Sequence, residues 1–173
     1  MINNQLPAIQ APYKLEAGEG MRYAFGSHLA TLLAGPQQLA QAAAGTILTG
    51  AHGAAFPVHR HRETHEALFV LEGAITLNLA DKTHLLTPGD YVNIPPGTAH
   101  GYTFAYHLGK LLSWSFGGNA ADAYAQLGKP YSGTVYEEST QPINWELLDS
   151  SVDTEIIPSP PPPQHEAQDR PPS

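Results

Sequence analysis

The chain has no cysteine at all. That absence removes disulfides, thiolate zinc sites, iron–sulfur clusters and cysteine nucleophiles together, so any metal must rest on nitrogen and oxygen donors. Basic residues are scarce: 8 Lys and Arg stand against 16 Asp and Glu, a formal charge of −8. This balance works against a nucleic-acid backbone or an anionic membrane surface as partner. No stretch approaches the ~18 consecutive apolar residues of a membrane-spanning helix, and Met1–Pro7 has neither a basic start nor an apolar run. The sequence reads as a soluble, cytoplasmic protein with no nucleic acid and no membrane among its partners. Charged residues make up only 14%, whereas Gly and Pro number 16 each. Short strands joined by tight turns suit that composition better than a helical bundle.

A length of 173 residues fits one domain with a short appendage. Seven of the 16 prolines fall between Pro158 and Ser173, and such a run has too little apolar surface to offset its ordering entropy. The expected organisation is an N-terminal segment over 1–12, a folded body over 13–157 and a disordered proline-rich tail over 158–173. Within the body, Thr46–Thr49, Ala55–His61, Ala67–Leu71, Ala74–Leu79, Tyr91–Ile94, Gly101–Phe104 and Leu108–Phe116 are β-branched, aromatic or alternating, and most are bounded by Gly or Pro. Several short strands at this spacing predict an all-β sandwich or barrel. One helix is signalled over Ala120–Leu127, with Asn119 as its cap and Gly128 and Pro130 as its stop. A second short helix is expected over Asn144–Leu148.

The chemistry concentrates in two blocks. In the first, Gly53 to Gly73, the two-residue period of a strand projects His59 and His61 from one face and Arg60 and Arg62 from the other. Glu66 lies five residues beyond His61, far enough for the chain to turn and return a carboxylate across the neighbouring strand. In the second block, Gly89 to His100, Pro96-Gly97 suits a type II turn, because Pro presets φ and Gly accepts φ > 0 at the next position. His100 follows as a strand begins. Three imidazoles and one carboxylate suit one divalent transition metal per chain, Fe, Mn, Ni, Cu or Zn, with positions left for water or substrate.

These residues resemble the cupin superfamily. Its first motif, Gly-x5-His-x-His-x4-Glu-x6-Gly, is met by Gly53, His59, His61, Glu66 and Gly73, and its second, Gly-x5-Pro-x-Gly-x2-His, by Gly89, Pro95, Gly97 and His100. The second motif usually continues to an Asn where Phe104 stands here, which changes the pocket wall and not the ligand set. The resemblance implies a cupin-type β-barrel, a double-stranded β-helix or jelly roll, with one or two short C-terminal helices. A closer resemblance is to the flavonol-cleaving cupin dioxygenases, the quercetinases. It rests on Pro12-Tyr13, Gly18-x-Gly20, Leu86-Thr87-Pro88-Gly89-Asp90-Tyr91, and Gly117-Gly118 with the following segment ending Leu127-Gly128-Lys129-Pro130. It implies a single-cupin form, or one half of a two-cupin form standing alone, in which a flavonol such as quercetin, or a similar enolic aromatic, binds the metal through its 3-hydroxyl. Glu66 takes the proton, and O2 attacks the ring with release of carbon monoxide.

Strand parity places Leu68 and Val70 on the face of Glu66, and Tyr102 and Phe104 on that of His100, so these four are the expected substrate-pocket lining. No Lys or Arg shares that face on the two motif strands, which disfavours a sugar-phosphate isomerase. His65 has the opposite parity and reads as an ordinary surface histidine or one that supports a ligand from behind; His28, His52, His84, His107 and His165 show no ligand spacing and are assigned nothing. Phe69 and Leu71, opposite the pocket parity, leave an apolar outer face that predicts a homodimer. Two other readings stand beside the dioxygenase: a non-catalytic metal-binding cupin that binds or senses, and another cupin metalloenzyme such as an isomerase or a decarboxylating cupin.

Overall fold

The computed structural model describes residues 4–8, 10–133, 136–138, 141–148 and 152–158. All of the proline-rich tail beyond Pro158 lies outside the described residues. In chain order the elements are β1 (Met21–Phe25), β2 (His28–Ala34), β3 (Ala43–Ala51), β4 (Ala55–Arg60), β5 (His65–Glu72), β6 (Ile75–Leu79), β7 (Lys82–Leu86), β8 (Tyr91–Ile94), β9 (His100–Phe104), β10 (Leu108–Phe116), α1 (Ala123–Leu127), β11 (Lys129–Pro130) and β12 (Glu155–Ile156). The strands form two antiparallel sheets, one ordered β11-β1-β2-β3-β10-β5-β8 and the other β12-β4-β9-β6-β7. This is the all-β architecture expected of a cupin-type barrel, with the core between the sheets. Among the described residues, the two sheets do not join into one closed ring of hydrogen bonds.

Alternation decides what enters that core. On β5, Glu66, Leu68 and Val70 are buried, while Phe69 and Leu71 are 37% and 40% exposed. On β10, Leu111, Ser113 and Ser115 point inward between half-buried neighbours. Leu48, Leu68, Val70 and Leu111 from the large sheet meet Ile75, Leu77, Tyr102 and Phe104 from the small one. Phe104 is fully buried, and the reason lies on the opposite sheet. Gly50 of β3 and Gly109 of β10 are register partners, and a methyl group on either would overlap the Phe104 ring. Two adjacent missing side chains therefore make the slot that the ring fills.

The helical segment differs from the sequence expectation. Ala120–Asp122 forms a 3₁₀ turn and only Ala123–Leu127 is α-helical. Asn119 makes no side-chain cap; its Oδ1 instead accepts the backbone N–H of Asp153, a tertiary bond that outcompetes the local one. The second short helix is a 3₁₀ turn over Trp145–Leu147, capped by Asn144 accepting the N–H of Glu146.

Candidate metal centre

His59 and His100 are register partners on β4 and β9 of the small sheet, His61 follows the end of β4, and Glu66 projects from β5 of the large sheet. All four are buried, and one ligand atom from each lies within 4.8 Å of the others. The His59 and His100 ring centroids are 4.1 Å apart, and His61 stands 4.9 and 5.2 Å from them. The Pro96-Gly97 turn forms as expected: Gly97 has φ of 80° and Thr98 N–H donates to Pro95 O. Gly97 N–H also donates to His61 O at 2.7 Å, so the turn that launches His100 is tied to the backbone of another imidazole in the cluster.

The donor set fits a cation. His59 Nδ1 lies 2.8 Å from Pro57 O, His61 Nδ1 2.8 Å from Asp153 O and His100 Nδ1 2.9 Å from Thr98 O. A carbonyl oxygen only accepts, so each Nδ1 carries the proton and each neutral ring offers its Nε2 lone pair to the centre. Glu66 Oε2 lies 3.0 Å from His100 Nε2 and 3.4 Å from His61 Nε2. Its other oxygen, Oε1, accepts from Ser113 Oγ at 2.6 Å. Ser113 in turn hydrogen-bonds Tyr124 of α1.

The electrostatics follow from burial and proximity. Burial, then the neighbouring His100 and His61, push the His59 pKa down to about 3. Burial also opposes charge on His61, but the hydrogen bond and negative charge of Glu66 outweigh it and raise that pKa. Glu66 is penalised by burial too, but without an ion His100 or His61 can take a second proton at Nε2, and the hydrogen bonds and charge this brings outweigh the penalty, holding the Glu66 carboxyl well below the usual range. The result is a carboxylate held ionised in an enclosed site, the state that a metal ligand needs.

Beside the cluster lies a cavity of about 20 Å³, walled by Phe56, Tyr102 and Tyr124, with Ala120, Ala123 and Thr154 also on its border. Of the residues expected to line a pocket, Tyr102 borders this cavity. Leu68, Val70 and Phe104 are buried in the barrel core. Phe56, Tyr124, Ser113 and Asp153 were not singled out from the sequence. Ser113 had a signal in the alternation of β10, whereas Asp153 reaches the site across 92 residues of chain. His65 makes its contact elsewhere, with Asn93 Oδ1 at 2.6 Å.

Residues 46–107 match the family described as Cupin domain, a span that contains all four clustered side chains. The chain contains a cupin domain. Over 131 residues, the chain is 40% identical to the quercetin 2,3-dioxygenase of Bacillus subtilis (strain 168), an alignment covering 76% of this chain and 39% of that enzyme. The chain thus spans about two fifths of the length of that curated relative. Among solved structures, the polyketide cyclase RemF from Streptomyces resistomycificus is 21% identical with a TM-score of 0.54, covering 61% of this chain and 80% of that one. An RmlC-like cupin from Shewanella frigidimarina NCIMB 400 is 22% identical with a TM-score of 0.53, covering 62% and 92%. Both likenesses confirm the fold. Among the described residues, no helix is long and apolar enough to cross a membrane.

Proposed function

We propose that this cupin is a metal-dependent dioxygenase that cleaves a flavonol such as quercetin, or a similar enolic aromatic, with O2. The observation that carries the reading is the convergence of His59, His61, Glu66 and His100 in a chain that shares 40% of its aligned residues with a quercetin 2,3-dioxygenase. His59, His61, His100 and Glu66 would hold the ion, the three imidazoles through the Nε2 atoms that face the centre. A divalent ion bound there lowers the pKa of a substrate hydroxyl and stabilises the resulting anion. Glu66 is the proton acceptor, a role its carboxylate can take only on letting go of the ion, while Ser113 Oγ–H keeps Oε1 in place. Phe56, Tyr102 and Tyr124 supply aromatic walls for a flat ring.

A cavity of about 20 Å³ holds roughly one water molecule. A flavonol is far larger, so its entry requires the lining of this cavity to move apart. The same observation favours the second reading, a cupin whose metal serves a small ligand or a purely binding role. Oxygen uptake decides between them: purified protein loaded separately with Fe, Mn, Ni, Cu or Zn should consume O2 on addition of quercetin in at least one form. Absence of uptake in all five, with metal bound, would leave the binding or small-substrate cupin. The expected protein partner is a second copy of this chain, covering the outer face where Phe69 stands opposite Tyr91. Light scattering should give twice the chain mass; Phe69→Ser should reduce it to one chain, and a monomeric parent chain would remove the dimer.

A further inference from the structure

Asp153 sits in the segment that ends in β12, far from both motifs in sequence, yet it is 5% exposed and touches the metal centre from two sides. Its carboxylate accepts three successive backbone N–H groups: Oδ1 takes Arg62 at 2.8 Å, Oδ2 takes Thr64 at 2.6 Å, and Glu63 lies between them at 3.2 and 3.0 Å. Those three residues are the turn that separates His61 from Glu66. Its backbone oxygen accepts His61 Nδ1–H at 2.8 Å, the bond that aims Nε2 at the centre. Thr154 Oγ1 lies 3.2 Å from the same Nδ1. The segment is pinned by Asn119 Oδ1, which accepts Asp153 N–H, by the Arg60–Glu155 ion pair at 2.9 Å and by Ile157 N–H donating to Val58 O at 2.8 Å.

We infer that Asp153 is a positioning residue of the metal centre: one side chain sets the turn between His61 and Glu66, while the same residue's carbonyl fixes which nitrogen of His61 faces the ion. A carboxylate suits this task where an amide does not. Three N–H donors are divided between two oxygens, and replacing either oxygen by NH₂ turns a donor against a donor. The turn would then shift, and with it the spacing of two ligands that are close in sequence. Partners that orient metal-ligating histidines typically contribute 10- to 100-fold in affinity.

This inference rests on the metal-centre reading and can fail while that reading stands. The test uses the full chain and Co(II) alone, whose visible spectrum reports coordination geometry. Asp153→Asn should bind Co(II) about 10- to 100-fold more weakly than the parent chain, with an altered spectrum at saturation and an unchanged far-UV signal. An Asp153 that merely supports the fold would lower the melting temperature of the metal-free protein and leave the affinity and spectrum of folded protein unchanged, which overturns the inference. Should Asp153→Asn not fold, Asn119→Ala decides. It leaves the carboxylate in place but releases the backbone of Asp153, so weaker Co(II) binding by folded protein supports the inference and parental binding overturns it. Failure of the parent chain itself to bind Co(II) overturns the metal centre and the positioning role together.

Discussion

Among the described residues, four histidines are buried, and they fall into two neighbourhoods. At one end His59, His61 and His100 each donate Nδ1–H to a backbone carbonyl and turn Nε2 toward Glu66. Elsewhere in the interior His28, 1% exposed, stacks on Phe25 at 5.1 Å and packs near Tyr102 and Phe104, with no hydrogen-bond partner among the described residues for either ring nitrogen. Burial alone pushes the His28 pKa down to about 4, comparable with the about 3 that burial and neighbouring imidazoles impose on His59. What separates a ligand from a packed ring is therefore not burial or pKa. It is the carbonyl behind the ring, which fixes the tautomer, and the presence of other donors in front of it.

The strongest way to break this contrast is to remove one imidazole from each neighbourhood. His59→Ala or His100→Ala should lose most of the bound metal, with affinity falling on the order of a hundredfold or more. His28→Leu should retain full occupancy. Elemental analysis of the purified variants checks both, and full metal in His59→Ala and His100→Ala would dissolve the distinction. Glu66→Gln probes the front of the same cluster. It keeps an oxygen donor but cannot accept a proton, so flavonol turnover by the metal-loaded variant should fall roughly 10²–10⁴-fold while much of the metal stays. Turnover near the parental rate would reduce Glu66 to a ligand.

Acid sharpens the contrast from the other side. His28 has a folded pKa of about 4 against an ordinary 6.5, so below pH 6.5 the unfolded chain binds a proton that the folded chain refuses. Its contribution to stability is complete above pH 6.5 and declines as pH falls toward 4, by roughly 3 kcal/mol in total. Denaturant unfolding at pH 7 and pH 5 should show a shallower acid loss in His28→Leu than in the parent. Equal losses would mean that His28 finds a partner when charged. The smallest effect is expected at His65, which has a partner in Asn93 but lies away from the cluster. His65→Ala should change stability by no more than about 0.5 kcal/mol and leave metal content alone, as differential scanning and elemental analysis would show.

Legibility in the sequence followed the range of the interactions. β3, β4, β5, β6, β8, β9 and β10 could be read because β-branched and aromatic alternation is local. The strand β2, His28-Leu29-Ala30-Thr31-Leu32-Leu33-Ala34, escaped because its Ala and Leu content is as compatible with a helix. β7 escaped because it is exposed almost throughout and so shows no alternation. At the site, fixed spacings exposed four side chains that the fold brings together. The alternation of β10 gave Ser113 an inward parity but no partner, and Asp153 had no signal: they meet Glu66 and His61 across 47 and 92 residues of chain, and only a sheet register and a returning C-terminal segment create those contacts.

Phe104, seated on the Gly50–Gly109 pair, also constrains how such a chain can drift. Three positions on three strands behave as one locus. An alanine at 50 or 109 alone collides with the ring, and a small side chain at 104 alone leaves a void between the sheets, so each single change is harmful. Made together, the ring's retreat admits the new methyl group, and the double change costs less than the sum of its parts. A lineage that exchanges the phenyl ring for a smaller side chain at 104 is thus expected to acquire a side chain at 50 or 109 as well, a covariation written by volume and not by catalysis.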